Sequence, residues 1–123
     1  MKFSEDKGDA HYRITGYGDG WVDVNQDQIR SSFIIMPDQL LTDWQPQRIH
    51  ELTVANLQPL FAMNAQIILL GTGMTQTFPQ PEVWFALVQN GIGFEIMSTD
   101  AACRTYNLLS AEDRRVAAAF FIN

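Results

Sequence analysis

The amino-acid sequence predicts an α/β protein of three layers, with a mixed central β-sheet in the middle layer. The C-terminal half alternates apolar strands with helices in the order β-α-β-α-β, which implies three parallel strands joined by right-handed crossovers. The first third alternates apolar and polar residues between glycine-rich turns, which is typical of an antiparallel meander. We expect one domain over residues 1–123, with residues 1–9 mobile because they carry no apolar period.

In the N-terminal third, alternating side chains predict a first strand from Tyr12 and a second strand at Trp21–Val24. The glycines of residues 16–20 predict the turn between them, because glycine adopts the positive φ that hairpin turns require. Residues 28–36 are interpreted as a third, longer strand that ends at Pro37. We expect this meander to pair with the parallel strands or to pack across one face of their sheet.

The middle of the chain is interrupted by prolines, so its elements are expected to be short. Residues 40–44 are interpreted as a short strand or an ordered loop. Thr53 can cap a helix over residues 54–61, because its hydroxyl accepts a hydrogen bond from the first turn. Pro59 lacks the N–H that a helix interior needs, so this helix is expected to be short or distorted.

The C-terminal half has clearer signals for the start and end of each element. Residues 66–70 form an unbroken apolar run, which is typical of a strand covered on both faces. Prolines in residues 79–82 open a helix, and Gly91 ends it after Asn90. The remaining elements are a strand at Gly93–Met97, a helix over 100–109 capped by Ser98 and Thr99, and a buried strand over 115–122.

The charge and the cysteine content exclude several classes of function. The net charge is −6, and nucleic-acid binding needs clustered Lys and Arg, so we predict no nucleic-acid partner. Cys103 is the only cysteine, which favours a reducing compartment. The polar N-terminus has no signal or transit pattern, and the longest apolar run, residues 116–122, is too short to span a bilayer. These features predict a cytoplasmic protein with no direct membrane insertion.

The turn Gly71-Thr72-Gly73 follows a predicted buried strand, where a glycine pair lets the backbone approach an anion. A dinucleotide-binding loop needs a third glycine three residues later, and this position is Gln76. No Gly-Lys-Ser/Thr follows either, so the loop is not a Walker A motif. Two interpretations stay open: a turn that needs small residues, and a loop that binds a small anionic ligand.

Thr99, Arg104 and Asn107 extend this candidate ligand site. Arg104 and Asn107 are three residues apart on a predicted helix, so they share one face. The ends of parallel strands meet at one sheet edge, where ligands of such sheets bind, so Thr99 is expected near the Gly71 turn. The alternative is a surface ion pair between Asp100 and Arg104, four residues apart.

No residue set in the sequence indicates catalysis, a metal or a cofactor. Cys103 lies inside a predicted helix with no neighbouring base, which favours an inert buried thiol over a nucleophile. His11 and His50 are the only histidines, and no His or Cys spacing matches a zinc site. We therefore assign no catalytic residue, no metal ligand and no cofactor.

Four segments together resemble a family of small, uncharacterised α/β proteins, a domain of unknown function. The family includes the mitochondrial NADH dehydrogenase (complex I) assembly factor three and adipogenesis-associated relatives. The segments are residues 67–73 (Ile-Ile-Leu-Leu-Gly-Thr-Gly), 93–99 (Gly-Phe-Glu-Ile-Met-Ser-Thr), 101–109 (Ala-Ala-Cys-Arg-Thr-Tyr-Asn-Leu-Leu) and 112–118. The match spans most of residues 31–119, with Ser31, Phe33, Trp44 and His50 fitting more loosely.

The resemblance implies a three-layer α/β fold with a mixed sheet, and a family for which no catalytic activity is established. In eukaryotes it implies a role in assembling a membrane complex through protein contacts. The first hypothesis for this chain is therefore a non-enzymatic binding or assembly protein with an unidentified protein partner. It predicts an exposed apolar patch around Trp44 or Trp84. The alternative is a small-anion or enzymatic site formed by Gly71, Thr72, Gly73, Thr99, Arg104 and Asn107.

Overall fold

Over residues 2–5 and 11–123, which it describes, the computed structural model contains nine strands in two sheets. The strands are β1 (Lys2–Glu5), β2 (Ile14–Gly18), β3 (Trp21–Val24), β4 (Asp27–Ile29), β5 (Phe33–Met36), β6 (Gln39–Thr42), β7 (Ile67–Gly71), β8 (Gly93–Met97) and β9 (Val116–Phe120). The helices are α1 (Gln58–Phe61), α2 (Pro81–Asn90) and α3 (Thr99–Ala111), with 3₁₀ turns at Ile49–Glu51 and Ala55–Leu57.

The larger sheet is mixed, with the strand order β1-β6-β5-β9-β7-β8. Its β1, β6, β5 and β9 pair antiparallel, whereas β9, β7 and β8 pair parallel. The C-terminal half therefore has the predicted three parallel strands, and the predicted fold class is confirmed. β9 belongs to both parts, because it pairs with β5 on one side and β7 on the other.

The central strands are apolar on both faces because both faces are covered. In β7, Ile68 and Leu70 pack in one hydrophobic core, while Leu69 packs in the other. β9 carries three consecutive buried alanines, Ala117 to Ala119, whose small side chains let the covering elements approach the sheet closely. This explains why the sequence shows unbroken apolar runs in place of the alternation of a half-exposed strand.

The two long helices cover opposite faces of the larger sheet. Val83 and Leu87 of α2 pack in the core on one face, whereas Ala102, Cys103 and Tyr106 of α3 pack in the core on the other. The chain leaves β7 toward β8, and then returns across β7 to reach β9. Because right-handed crossovers in opposite directions place their helices on opposite faces, β7 and β8 form a topological switch point at their carboxyl ends.

The meander β2-β3-β4 forms a separate antiparallel sheet and lies on the α3 side of the molecule. Asn107 of α3 holds it there: the Ile14 N–H donates to Asn107 Oδ1 at 3.0 Å, and Asn107 Nδ2 donates to the Ile14 carbonyl at 2.7 Å. Tyr106 donates its hydroxyl to the Tyr12 carbonyl at 2.7 Å. Of the two placements expected, the meander therefore packs across a face.

The prediction of one long strand over residues 28–36 was wrong. β4 ends at Ile29 in the small sheet, and β5 begins at Phe33 in the large one. The Ser32 hydroxyl donates to the carbonyls of Trp44 and Pro46, which fixes the bend between the two strands. These contacts come from residues far along the chain, so the local pattern gave no sign of the break.

Two further boundaries differ from the predictions. β2 runs from Ile14 to Gly18, so the turn of the hairpin is confined to Asp19 and Gly20, where Gly20 has a φ of +82°. At the N-terminus, Lys2–Glu5 pair with β6 as an edge strand, an element that the sequence pattern did not predict. Residues 1 and 6–10 lie outside the described part of the chain.

The middle of the chain forms short elements, as predicted. β6 occupies residues 39–42, and Trp44 behind it is 1% exposed. Thr53 Oγ1 accepts the Asn56 N–H at 3.3 Å, although the N-cap position of the following 3₁₀ turn is Val54. Pro59 lies in the first turn of α1, where no N–H is needed, and the helix is limited to four residues.

Candidate functional site

The Gly71-Thr72-Gly73 turn lies at the carboxyl end of β7, directly against the start of α3. A Cβ atom on Gly71 would lie 3.2 Å from Thr99 Cα and 3.0 Å from the Phe120 ring. The structure therefore brings the turn and Thr99 together, as the parallel topology predicts. A side chain at position 71 would have to displace its neighbours by a few tenths of an ångström, because β7, α3 and β9 converge there.

Two hydrogen bonds of the Gly73 backbone, one to the side chain and one to the backbone of Thr99, connect the turn to α3. Its N–H donates to Thr99 Oγ1 at 2.8 Å, and its carbonyl accepts the Thr99 N–H at 2.8 Å. Gly73 has a φ of +103°, and a Cβ there would lie 1.9 Å from the Asn123 carbonyl oxygen. Both the conformation and the close approach of the residue 123 backbone exclude a larger side chain.

The polar groups of this edge satisfy one another within the fold. The Thr99 hydroxyl accepts from Gly73 and donates to the Phe121 carbonyl at 2.5 Å. The Thr72 hydroxyl donates to the Thr75 carbonyl at 2.6 Å and accepts the Thr77 N–H at 2.9 Å. We call this hydrogen-bonded set of Gly71, Thr72, Gly73, Thr99 and Phe121 the edge junction.

Arg104 and Asn107 lie on α3 but contact the small sheet instead of the edge junction. Arg104 Nη1 donates to the Tyr17 hydroxyl at 2.8 Å, and this bond raises the pKa of the guanidinium. Both polar atoms of the Asn107 side chain bond to the backbone of Ile14. Of the six predicted site residues, four therefore meet at the edge junction and two do not, and the ligand site itself stays a prediction.

A cleft of about 370 Å³ lies between the edge junction and the hairpin of the small sheet. Tyr17 and Trp21 line its sheet side, and Thr99 and Met74 line its junction side. The acidic side chains Asp19 and Asp100 lie at its exposed rim, and Arg104 is not among the lining residues. The charge on this cleft is therefore negative, which does not favour an anion.

Burial suppresses the chemistry of the ionisable groups on the inner face of α3. Burial raises the pKa of the Cys103 thiol from 9.0 to about 12, with a smaller contribution from Asp100. Burial likewise raises the pKa of the Tyr106 phenol. Among the described residues, no three His, Cys, Asp or Glu side chains are grouped to hold a metal ion.

The second candidate site is an exposed aromatic surface on α2 and the loop before it. We define the α2 surface by five exposed residues: Phe78, Pro81, Trp84, Phe85 and Val88. Phe78 is 63% exposed, Phe85 56% and Val88 52%, and Trp84 is 41% exposed. The prediction of an exposed patch is confirmed at Trp84 and is wrong at Trp44, which is buried.

The rings of the α2 surface are held in place by one another. Trp84 contacts Phe78 edge-on with ring centroids 5.6 Å apart, and contacts Phe94 of β8 edge-on at 5.1 Å. Phe78, Pro79, Pro81 and Trp84 line an open groove of about 410 Å³. Phe78 and Val88 were missed in the sequence. The sequence does contain a signal for an exposed Val88. Trp84 and Val88 are four residues apart and form a second apolar stripe on α2, beside the buried stripe of Val83 and Leu87.

The architecture and the two candidate sites define a class: a three-layer α/β protein with a mixed sheet, a closed edge junction and an exposed aromatic helix. Comparison with known families then places the chain. It belongs to the family described as "Protein of unknown function (DUF498/DUF598)", whose profile matches residues 14–121. The predicted resemblance is thereby confirmed, and the family has no assigned biochemical function.

Relatives with a descriptive name differ in what that name says. The "13 kDa major membrane protein" of Francisella tularensis is 31% identical over 118 residues, covering 94% of this chain and 95% of that protein. The "NADH dehydrogenase [ubiquinone] 1 alpha subcomplex assembly factor 3" of Danio rerio is 30% identical over 108 residues. The matched region covers 86% of this chain but 62% of the zebrafish protein.

Solved structures share the fold. A crystal structure of a protein from Bordetella parapertussis is similar with a TM-score of 0.86 and 36% identity, covering 95% of this chain and all of that one. In the described residues, no helix has the length and hydropathy needed to cross a bilayer. The cytoplasmic location of this chain stays a prediction.

Proposed function

We propose that this chain is a non-enzymatic, protein-binding protein, and that it holds a partner on the α2 surface. The observation that carries the proposal is the group of exposed rings, since Phe78, Trp84 and Phe85 are each at least 41% exposed. Large contiguous apolar surfaces on proteins usually mark interaction sites. Trp and neighbouring aromatics supply much of the binding energy at protein interfaces.

The α2 surface is also preorganised for binding. Trp84 is fixed between Phe78 and Phe94 by two edge-on ring contacts, so it loses little side-chain freedom when a partner covers it. The helix beneath the rings is anchored as well, because its Val83 and Leu87 side chains are buried. Exposed rings on a rigid support are expected to bind a protein surface without a change of fold.

The name of the zebrafish relative describes that protein as an assembly factor, and we extend this role to the present chain. A protein of that kind needs a surface for its client and no nucleophile. In this chain the one thiol, Cys103, is buried, and burial raises its pKa to about 12. The aromatic surface supports the protein-binding role, and the likeness to the zebrafish protein supports the more specific assembly role.

Affinity capture from native lysate with quantitative mass spectrometry tests this proposal. The bait is compared with a variant carrying Phe78→Ser and Trp84→Ala. Leu108→Ser is the matched control, since Leu108 is an apolar side chain on α3 with 61% exposure. We expect a defined partner that the control retains and the double variant loses. Capture of no partner, or equal capture by all three baits, would contradict the proposal.

The alternative is a small-anion site at the edge junction, built on Gly71, Thr72, Gly73, Thr99, Arg104 and Asn107. It has less support, because the N–H groups of Gly73 and Thr99 already have partners and Arg104 bonds to Tyr17. Thermal unfolding in phosphate compared with chloride at equal ionic strength tests it. A rise in melting temperature in phosphate that Arg104→Ala removes would favour this alternative over the first proposal.

We further propose that the protein is cytoplasmic, on the support of a lone cysteine and an acidic surface that anionic lipids repel. Fractionation of cells that express the tagged chain tests this. Recovery in the high-speed supernatant is expected. Recovery in the membrane pellet that survives a high-salt wash would contradict the proposal and would agree with the name of the Francisella relative.

A further inference from the structure

β8 is the outermost strand on the parallel side of the larger sheet, next to the α2 surface. Its Met97 carbonyl accepts the N–H of Thr72, so Met97 faces inward to the chain that continues β7. Backbone groups alternate along a strand, and therefore the N–H and C=O groups of Phe94 and Ile96 face outward. This open edge is a template for a further strand.

Gln76 occupies one end of this open edge. Its side-chain amide donates to the Ile96 carbonyl at 2.8 Å, and among the described residues no other hydrogen bond to the outward groups is found. The N–H and carbonyl of Phe94 and the N–H of Ile96 are thus available. The N–H and carbonyl of Phe94 can pair with one residue of an added antiparallel strand, or with the two residues that flank its counterpart in a parallel one.

The two faces beside this edge differ in chemistry. Phe94 pairs with Ile68 in register and packs on the α2 face, where its ring contacts Trp84. Glu95 pairs with Leu69 and points to the other face, where it is exposed. A strand added beside β8 would therefore place alternate side chains next to the aromatic rings and next to a carboxylate.

The chain segment that carries this edge has charged side chains of a single sign. No Lys or Arg occurs between residues 49 and 103, a stretch that includes α2 and β8. The same stretch contains Glu51, Glu82, Glu95 and Asp100. A partner segment that carries Lys or Arg is therefore favoured there, because opposite charges facing each other across strands stabilise the pair.

We propose that the partner of the α2 surface is an extended protein segment that adds to the free edge of β8. Its side chains alternate between apolar residues, which contact Trp84 and Phe78, and basic residues, which face Glu95. This inference rests on the proposed protein-binding function and names the chemistry of its partner. It does not depend on the identity of the protein that carries the segment.

A designed peptide of alternating valine and lysine, blocked at both ends, is the probe. Its binding to the full chain is followed by NMR chemical shifts of the backbone amides and by tryptophan fluorescence. We expect the largest shifts at Phe94 and Ile96. Two further peptides carry methyl groups on alternate backbone nitrogens, one on the odd-numbered and one on the even-numbered residues. In one of them the N–H that would donate to the Phe94 carbonyl is removed, and this peptide is expected to bind at least about tenfold more weakly than the parent.

Charge reversal gives the second arm. Glu95→Lys should weaken binding of the valine–lysine peptide about fivefold and strengthen binding of a valine–aspartate peptide by a similar factor. Glu112→Lys is the matched control, because it makes the same charge change at an exposed position after α3. The control should alter both affinities much less than Glu95→Lys does.

The outcomes separate this inference from the proposed function. No binding at millimolar peptide, or equal binding by both methylated peptides and their parent, overturns the added strand. Preference for a helical peptide of the same composition overturns it as well, and leaves the α2 surface as a groove for a helix. If the strand peptide binds while Phe78→Ser with Trp84→Ala leaves capture unchanged, the proposed function fails and the β8 edge stands alone.

Discussion

The edge junction lies at the carboxyl end of β7 and the α2 surface lies on the helix that follows, yet the groups of the two regions have opposite environments. At the edge junction the hydroxyl of Thr99 and the N–H of Gly73 bond within the fold. At the α2 surface the rings of Phe78 and Phe85 are more than half exposed. The polar groups of the segment with a sequence motif are thus bonded within the fold, and the rings of the segment without one face solvent.

The contrast shows how a glycine pair after a buried strand should be interpreted. A ligand loop needs donors that face solvent and room for the ligand. Gly73 instead leaves room for the backbone of residue 123, and Gly71 leaves room for the start of α3. The decisive question for such a turn is which chain segment or ligand fills the space where a Cβ would be.

The largest effect is expected at Gly73. Gly73→Ala places a Cβ into the Asn123 backbone at a φ of +103°, so we expect the free energy of unfolding to fall by about 3 kcal/mol or more. Urea unfolding followed by circular dichroism measures the change. A loss below about 1 kcal/mol would mean that the edge junction yields easily, which would weaken the contrast with the α2 surface.

Gly91→Ala is the matched control for Gly73→Ala. Gly91 ends α2 with a φ of +83°, and nothing lies within 4 Å of the Cβ position. Only the backbone conformation is strained there, which costs about 1 to 2 kcal/mol. The difference between the two variants measures the close approach at the edge junction.

The next effect is expected at Thr99. Thr99→Val keeps the shape but leaves the Gly73 N–H and the Phe121 carbonyl without their hydroxyl partner, at a cost of about 2 kcal/mol. Thr99→Ser keeps the hydroxyl and should recover most of this loss. A loss of stability in Thr99→Ser with none in Thr99→Val would show that the methyl group, and not the hydroxyl, holds the junction.

A smaller, pH-dependent effect is expected on the same side of the molecule. Burial raises the pKa of Cys103 from 9.0 to about 12, so between these values the unfolded thiol loses its proton and the folded thiol keeps it. Unfolding then releases a proton, and stability falls as the pH rises, by about 1.4 kcal/mol per pH unit for this group.

The comparison of Cys103→Ala with the parent isolates this contribution. Tyr106 has an ordinary pKa of 10.0 that burial also raises, so part of the decline above pH 10 should persist in the variant. Denaturant unfolding at pH 8, 9, 10 and 11 gives the slopes. Identical slopes for the variant and the parent would show that Cys103 is not protected from ionisation in the folded state.

The smallest effect on stability is expected on the α2 surface. Phe85→Ser should change the free energy of unfolding by less than about 0.5 kcal/mol, because Phe85 is already exposed. Val83→Ser, two positions earlier on the buried face, should cost about 2 kcal/mol or more. If Phe85→Ser is as destabilising as Val83→Ser, the exposed ring serves the fold and the surface is not free for a partner.

The parallel half of the fold could be predicted because its signals are local. Gly91 ends α2 in a left-handed conformation, and Ser98 caps α3 by accepting the Ala101 N–H. The break between β4 and β5 could not be predicted, because it depends on the bond from Ser32 to the Trp44 carbonyl. Contacts between distant residues leave no period in the sequence.

The candidate site shows the same division. The meeting of Gly71 with Thr99 follows from parallel strands that end at one edge, and it was predicted. That Arg104 and Asn107 share a face of α3 also follows from helical spacing. The small sheet covers that face and determines its contacts. The position of the small sheet over α3 depends on the long-range bonds between Asn107 and Ile14.

The position of β9 has a consequence for the synthesis of the protein. β9 follows every other described strand in the chain, yet it lies between β5 and β7 at the centre of the larger sheet. While the ribosome has made only the preceding residues, β5 and β7 each present an unpaired edge with apolar side chains on both faces. A nascent chain halted before residue 116 should therefore recruit chaperones, and release of the β9 residues should close both edges in a single step.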